Sequence, residues 1–286
     1  KTNVIIAHRI STLQNADKII VIDGSRIIEE GNHEELVAQG GMYADQYTVE
    51  TVPNWNSYVL YPNVSKDSPL SDENLRKAVF SAIDINLIAS TIQGGDASPA
   101  YGMGTDLLAD YNSDWESLHP SFDLDAAKKY MAQSAYPNGC ELTLIYPPDS
   151  YIADMGVILQ SELSEIGIKL TLKEEQFSNY LTDEGNSTAW DFECVNLTAY
   201  DYVTSIWRMY FDAEANGMGT SKNFIKDDQL QKLVSTAESV DGHTQENVDT
   251  AWKYIMDNAY CDPLIVPDMY VVYNNTILNN FKFSGL

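Results

Sequence analysis

The sequence predicts an α/β protein, and three stretches carry this prediction. Residues 141–175 contain two segments of alternating apolar residues around a segment whose apolar residues recur at helical spacing. Residues 57–89 read as an apolar strand, a polar turn and a capped helix. Residues 228–273 read as two amphipathic helices followed by two short strands. This alternation is typical of a sheet with helices packed against it.

The composition is that of a globular protein with a strong excess of acidic residues. The 286 residues are enough for two domains or for one large domain. Lys and Arg number 17 against 42 Asp and Glu, so the formal charge is −25. Nucleic acids and anionic membrane surfaces need clustered basic residues, so neither is a predicted partner. No apolar run approaches the roughly 20 residues of a membrane span, and direct membrane insertion is not expected.

The chain begins at Lys1 without a recognisable signal peptide, and we expect a fragment or a processed piece. Cys140, Cys194 and Cys261 are far apart and form no Cys-x-x-Cys pair. They are predicted to be buried free thiols, although one disulfide with a leftover thiol stays open. The four histidines show no metal-ligand spacing, so no metal and no cofactor are predicted.

The first fifty residues predict a small α/β segment. Residues 3–7 are a β-branched run typical of a buried strand, and a short helix is predicted through Ala16. The apolar segments 18–22 and 26–30 flank Asp23-Gly24, a strong hairpin signal. Asn32 is predicted to cap a helix over residues 33–47.

This segment resembles the C-terminal end of the nucleotide-binding domain of exporter-type ABC transporters. The matching residues are Ile6-Ala7-His8-Arg9-Ile10-Ser11-Thr12, Ala16-Asp17, Asp23-Gly24, Gly31, His33-Glu34-Glu35-Leu36 and Gly41-Met42-Tyr43. The resemblance implies that His8 descends from the switch histidine, which contacts the γ-phosphate of the nucleotide. An imidazole can donate a hydrogen bond to a transferring phosphate.

The rest of a nucleotide site is missing from the sequence. No G-x-x-x-x-G-K-[ST] motif occurs, and no apolar strand ends in an Asp-Glu pair upstream of His8. Phosphate transfer needs a cradle of backbone amides, a lysine and a held magnesium ion. We therefore expect no ATP binding or hydrolysis, and the chain is predicted not to be an enzyme.

Residues 57–89 lead into the larger part of the chain, after a join without a flexible linker. A strand is predicted over Tyr58 to Tyr61, and Ser71 and Asp72 stand where a helix cap belongs. Leu75, Val79 and Ile83 would form the apolar stripe of the helix. This strand is predicted to have lost most of its sheet and to be the least supported part of the fold.

Further elements follow in order. A loop covers residues 93–100, irregular surface structure 101–120, and a helix 124–136. Residues 141–148, 151–167 and 168–175 predict a right-handed βαβ unit with a parallel strand pair. The remaining predictions are helical structure in 176–187, a strand over 190–197, an aromatic-rich stretch 200–211, helices over 228–240 and 245–260, and strands over 264–266 and 269–273.

Residues 55–286 resemble the C-terminal lobe of family 5 extracellular solute-binding proteins, the dipeptide- and oligopeptide-binding proteins of ABC importers. The ordered matching pieces are Tyr58 with Asn63, Pro69-Leu70, Leu75-Arg76-Lys77-Ala78, Ala82-Ile83-Asp84, Gly94 with Pro99-Ala100, Asp123 with Ala126-Ala127-Lys128, Leu142-Thr143-Leu144 with Tyr146, Leu159-Gln160 with Leu163, Ile166-Gly167-Ile168, and Ala259 with Pro263-Leu264-Ile265 and Pro267. The resemblance implies a periplasmic-binding-protein-like lobe, a mixed sheet with flanking helices. The resemblance of residues 1–48 implies that a small partial α/β fragment of an ABC ATPase domain precedes it. The expected domains are 1–48 and 49–286.

The family resemblance also suggests ligand-binding residues. In this family an aspartate in the segment corresponding to 198–207 holds the peptide α-ammonium, but the usual Asp-Tyr-x-[Asp/Glu]-Pro pattern is not reproduced here. Asp201 is the nearest carboxylate, and Tyr200 stands near the place of the first aspartate. Tyr202 and Trp207 could line side-chain pockets, and Arg208 could meet a ligand carboxylate. The open alternative is that the aromatic residues pack as core and Asp201 is a turn residue.

The resulting functional prediction is a partial substrate-binding component of an ABC transporter. Its expected partners are a peptide or other small solute and the membrane subunits of the importer. The receptor part would be extracytoplasmic, whereas residues 1–48 would be cytoplasmic in their parent family. Two alternatives stay open: a remnant of an ATP-binding subunit, and a gene-fusion or assembly artefact without independent activity. The sequence does not identify the ligand, since members of the family carry peptides, nickel chelates, sugars and other solutes.

Overall fold

The computed structural model describes residues 18–23, 26–45, 47–52, 54–197, 201–213 and 224–274. The chain divides into two compact units, one of residues 1–53 with 269–286 and one of residues 54–268. Among the described residues, no helix has the length and apolar character needed to cross a membrane. The predicted strand over 3–7 and the short helix through Ala16 lie outside the described residues. The predicted division at residue 48 stays a prediction.

The described strands and helices alternate along the chain. The strands are β1 (Ile19–Asp23), β2 (Arg26–Gly31), β3 (Tyr47–Val52), β4 (Tyr58–Pro62), β5 (Ala97–Pro99), β6 (Cys140–Tyr146), β7 (Ile168–Glu174), β8 (Phe192–Asn196), β9 (Asp262–Pro267) and β10 (Met269–Asn274). The helices are α1 (His33–Gln39), α2 (Met42–Asp45), α3 (Glu73–Ser81), α4 (Ile85–Thr91), α5 (Leu124–Gln133), α6 (Ser150–Ser164), α7 (Phe177–Glu184), α8 (Val203–Tyr210), α9 (Asp228–Glu238) and α10 (Gln245–Asp257).

The described residues of the unit 1–53 with 269–286 form two strand pairs. β1 and β2 form the predicted antiparallel hairpin, and Ile19, Leu36 and Tyr43 form a small core beside it. Asn32 caps α1 in a capping box with Glu35, as the sequence predicts for this position. The predicted helix over 33–47 is divided into α1 and α2, because Gly40 adopts a left-handed conformation that ends α1. β3 pairs with β10 in antiparallel register.

The unit of residues 54–268 is built around a six-stranded mixed sheet with the strand order β5-β9-β4-β8-β6-β7. β6 is parallel to β7 and β8, whereas β4 is antiparallel to both β8 and β9. The predicted parallel pair is therefore confirmed, as is the mixed sheet with flanking helices.

β4 lies at the centre of this sheet, and the prediction that it is poorly supported is wrong. All five of its residues are buried, and strands pair with it on both sides. Both partners, β8 and β9, come from more than 130 residues later in the chain, and local sequence pattern does not reveal such pairing.

Helices cover both faces of the sheet. Tyr58 and Leu60 belong to a core cluster that includes residues of α3, α4, α5 and α6. Val59 and Tyr61, which point to the opposite face, belong to a second cluster that includes residues of α8, α9 and α10. Both faces of β4 are therefore core, which explains its unbroken apolar sequence.

Most predicted helices and strands of this unit are present with ends shifted by a few residues. Asp72 caps α3 by accepting hydrogen bonds from the N–H groups of Asn74 and Leu75. The sequence predictions do not include α8, although its buried residues Val203, Ile206, Trp207 and Tyr210 recur at helical spacing. Residues 101–120 are irregular as expected but do not all lie at the surface, since Met103, Leu108 and Trp115 are buried.

The three cysteines are free. Cys194 and Cys261 are buried, and Cys140 is half-buried. Burial raises the pKa of the Cys140 thiol to about 11, with Asp191 adding to the effect. The prediction of free thiols is confirmed, whereas full burial applies to only two of the three.

Candidate functional site

Polar groups from several strands of the six-stranded sheet come together at one end of the strands, and we call this end of the sheet the polar edge. Tyr58 at the start of β4 lies opposite Asn196 at the end of β8. β6 runs parallel to β8, and its end leads to the start of α6 at this edge. Pro267 at the end of β9 pairs with Ala97 at the start of β5. In α/β sheets, the crevice outside the carboxyl ends of the strands is the usual place for a ligand.

A hydrogen-bond network joins three side chains at the polar edge. The Tyr58 hydroxyl donates to Asp149 Oδ2 at 2.9 Å and accepts from Asn196 Nδ2 at 3.1 Å. Asp149 Oδ1 also accepts from the N–H groups of Tyr151 and Ile152, which caps α6. Burial and the Asp149 carboxylate raise the pKa of Tyr58, so its hydroxyl stays a donor. The network holds a carboxylate and an exposed amide in fixed positions.

Tyr151 adds an aromatic ring to this edge in an acidic environment. Its ring stacks on Tyr58 with 5.5 Å between centroids and 24° between planes. Partial burial raises the pKa of Tyr151, and the carboxylates of Asp96, Asp268 and Asp149 raise it further. Negative charge beside an aromatic face favours a cationic ligand group such as an ammonium.

The predicted site residues of the described segment 201–208 do not all lie together. Asp201 is exposed, and its carbonyl accepts a hydrogen bond from the N–H of Ala109 at 3.1 Å. Tyr202 is exposed, and its ring packs edge-on against the His243 ring with 5.0 Å between the ring centroids. Arg208 is exposed in the last turn of α8, where its charge acts on Glu238. The ligand roles of these residues stay predictions.

Trp207 is a core residue in this structure. It is 0% exposed, and its ring lies nearly parallel to that of Trp252 with 5.9 Å between centroids. The Trp115 ring belongs to the same core cluster, and its centroid lies 6.3 Å from that of the Trp207 ring. For Trp207 the structure therefore shows the packed-core alternative, because its helix turns this side chain inward. Tyr200 and His8 lie outside the described residues.

Asp110 organises the start of α8. Its carboxylate accepts hydrogen bonds from the N–H groups of Val203 and Thr204 and from the Thr204 hydroxyl. His243 Nε2 lies 4.0 Å from Asp110 Oδ2. Asp110 is 4% exposed, so it holds the segment that carries Asp201 and Tyr202 rather than facing a ligand.

Sequence reasoning missed the residues that the structure brings to the polar edge. Asp149 carried a usable signal, since an aspartate before an amphipathic helix predicts an N-cap. The sequence places Tyr58 in a strand and among the residues of the family resemblance, and Asn196 carries no signal, because their contact depends on the pairing of β4 with β8. Within the described ranges, no group of three or more His, Cys, Asp or Glu residues could hold a metal ion.

Solved structures with the same fold include peptide-binding proteins. A periplasmic binding protein DppA from Helicobacter pylori in complex with the peptide STSA has a TM-score of 0.71 at 21% identity, over 85% of this chain and 48% of that chain. A dipeptide-binding protein from Pseudoalteromonas sp. SM9913 in complex with Met-Leu has a TM-score of 0.72 at 19% identity, over 93% of this chain and 51% of that one. At these identities the likeness shows the fold.

The family follows from the sequence itself. Residues 22–196, more than half of the chain, match the family described as bacterial extracellular solute-binding proteins, family 5 Middle. The chain belongs to this family, whose members bind solutes outside the cytoplasm. It spans about half the length of the solved structures above.

A short stretch of the chain is also similar to a different class of protein. An ATP-dependent lipid A-core flippase from Shewanella frigidimarina is 52% identical over 50 residues, which are 18% of this chain and 8% of the flippase. The chain therefore covers only a small part of such curated relatives.

Proposed function

We propose that this chain is part of an extracytoplasmic receptor that binds short peptides for import by an ABC transporter. Membership of family 5 supports a solute-binding role, and the peptide-bound structures of the same fold support peptides as the solute class. The membrane subunits of the importer would be the protein partners. The whole receptor's activity is part of this proposal, because the chain spans about half of those structures.

The polar edge is the observation that carries the proposal. A peptide presents an α-ammonium group, and burying this charge costs free energy unless a carboxylate pairs with it. Asp149 is held in place by Tyr58 and by the start of α6, so little conformational entropy would be lost when it binds a ligand. The segment with Asp201 and Tyr202 follows β8, whose end lies at the same edge.

Peptide binding can be tested with the full chain alone, and with the full chain mixed with a separate fragment that supplies the part of such a receptor that this chain does not cover. Thermal-shift and calorimetric titrations would use peptides of two to eight residues. We expect weak binding or none by the chain alone, because half of a binding site incurs the full entropy loss of association but makes only part of the contacts that offset it. With the other half supplied, saturable binding is expected.

Two variants connect binding to named carboxylates. Asp149→Asn keeps the cap of α6, because asparagine is also a good N-cap, but removes the charge. Asp201→Asn removes the charge of the residue predicted from the family. Each is expected to weaken peptide binding about tenfold, whereas the exposed Asp241→Asn control keeps it unchanged. Failure of every peptide to bind with the other half supplied would contradict the proposal.

A nucleotide-binding role is the second candidate, because of the 52% identity to a flippase over 50 residues. Equilibrium dialysis of the full chain with Mg-ATP tests it. We expect no retention of ATP, since the sequence contains no phosphate-binding glycine loop with its lysine. Saturable retention of ATP would support this candidate over the receptor role.

A further inference from the structure

A cavity of about 500 Å³ lies at the other end of the strands from the polar edge. Its walls come from the turn after β4, the first turns of α3, the residues before α9 and Tyr260 before β9. Three basic side chains line it, those of Lys66, Arg76 and Lys226. Three basic groups around one cavity are notable in a chain with a formal charge of −25.

Arg76 is a buried cation whose described partners are neutral. It is 4% exposed, and its guanidinium group donates to the carbonyls of Leu70, Ser71, Asn258 and Ala259. The guanidinium carbon also lies 5.3 Å from the centre of the Tyr260 ring. Among the described residues, no carboxylate lies within ion-pair distance of it.

The hydrogen bonds of Arg76 leave one donor unused. Nη1 donates to two carbonyls, and the single Nε hydrogen is shared between two. Nη2 donates to one carbonyl, that of Asn258 at 2.8 Å. Since a guanidinium group has five N–H donors, one Nη2 hydrogen has no acceptor in the part of the chain that the structure describes.

The two lysines of the cavity are available to a ligand, and of its two carboxylates, those of Asp67 and Glu73, one is already paired with a lysine. Lys66 and Lys226 are exposed, and within the described ranges neither makes an ion pair. Asp67 Oδ2 accepts a hydrogen bond from the Ser187 hydroxyl at 2.8 Å. Glu73 Oε1 pairs with Lys77 Nζ at 2.6 Å. The cavity therefore has more positive than negative charge free for a ligand.

We propose that this cavity binds a small organic anion through a phosphate or carboxylate group. Lys66 and Lys226 would supply charge-assisted hydrogen bonds, and the remaining Nη2 hydrogen of Arg76 would supply a third. Phe224 and Tyr260 form an apolar wall against which the carbon skeleton of the ligand would pack. This site is separate from the polar edge and does not depend on peptide binding there.

The test is calorimetric and thermal-shift titration of the full chain with two probes, inorganic phosphate and succinate. Ionic strength is held constant with sodium chloride, because general screening would otherwise imitate binding. At least one probe is expected to bind saturably and to raise the melting temperature. Binding of phosphate alone would indicate a phosphate-bearing ligand, and binding of succinate alone a carboxylate-bearing one.

The variants separate this cavity from other basic surfaces. Lys66→Gln and Lys226→Gln are each expected to weaken binding about fivefold, and the double variant to abolish measurable binding. Both lysines are exposed, so their replacement does not threaten folding as a change at Arg76 would. Lys128→Gln, an exposed position on α5 with the same change of charge, is the control and keeps binding unchanged. No saturable binding of either probe, or equal binding by the double variant, would overturn the proposal.

Discussion

The carboxylate of Asp110 accepts hydrogen bonds from both the backbone N–H and the hydroxyl group of Thr204. A residue of an irregular loop thus caps a helix that begins 93 residues later, at Val203. Residue 202, which immediately precedes the helix, is a tyrosine and makes no side-chain cap. The start of α8, beside the predicted ligand residues, therefore depends on a tertiary contact.

Asp110→Ala is expected to lower the free energy of unfolding by about 1–2 kcal/mol, since the first N–H groups of α8 lose their acceptor. Urea-induced unfolding measures this loss. Asp241→Ala, an exposed aspartate, is the control and should change stability little. Equal stability of the two variants would show that Asp110 does not act as a cap.

Trp207→Ala is expected to destabilise the protein by about 3–5 kcal/mol, because it empties a fully buried site between two other tryptophans. Trp207→Phe should cost less, since it keeps an aromatic ring in the same place. Urea unfolding again gives the free energies, and Phe177→Ala removes an aromatic ring that is 61% exposed as the control. A loss at Trp207 no larger than that at Phe177 would argue against a core role.

Stability should depend on pH through Glu162. The pKa of Glu162 is raised to about 7, mainly by burial, with the carboxylates of Asp84 and Asp262 adding to the rise and the hydrogen bond from the N–H of Asp84 opposing it. The folded state therefore binds this proton more tightly than the unfolded state, whose value is near 4.5. The resulting stability is complete below the unfolded value and is lost as the pH rises through about 7.

Urea unfolding between about pH 5 and pH 8 is expected to show a falling free energy in the native protein and a shallower fall in Glu162→Gln. The amide keeps an oxygen that can accept from the N–H of Asp84, as Glu162 does at 3.2 Å. Glu165 is exposed and lies three residues after Glu162, so Glu165→Gln serves as the control and should leave the slope of unfolding free energy against pH unchanged. An unchanged slope in Glu162→Gln would rule out this source of the dependence.

His119 and Asp262 form a buried pair whose charge state can be measured. His119 Nδ1 lies 2.9 Å from the carbonyl of Pro120, and Nε2 lies 3.0 Å from both the carbonyl of Pro263 and Asp262 Oδ1. Since carbonyl oxygens only accept, both ring nitrogens carry hydrogen. Burial lowers the pKa of His119, but Asp262 and the two carbonyls outweigh it and raise the pKa above its usual range.

Nitrogen-detected NMR of the imidazole should therefore find His119 doubly protonated near neutral pH. Asp262→Asn is expected to lower the pKa of His119, because the nearest negative charge is gone. Asp257→Asn, an exposed position paired with Lys253, serves as the control and leaves the titration in place. A singly protonated His119 in the native protein at pH 7 would contradict the buried ion pair.

Much of the fold could be predicted because its signals are local. Asp72 before an apolar stripe predicted the start of α3, and the alternation in 141–148 and 168–175 predicted β6 and β7. The order of these elements also identified the family, which the match over residues 22–196 bears out. Caps, hairpins and helical periods act between residues a few positions apart, so a single sequence displays them.

The sequence by itself thus determined the α/β class, the parallel βαβ unit and membership of a solute-binding family. Only the tertiary structure decided that β4 is central, that Trp207 is core, and that Tyr58, Asp149 and Asn196 meet at one edge. The partners in these contacts are separated by between 45 residues, for Trp207 and Trp252, and 207 residues, for Tyr58 and Ile265. Contacts over such distances form when distant strands and helices pack together, and hydrophobic burial drives this packing without leaving a local pattern in the chain.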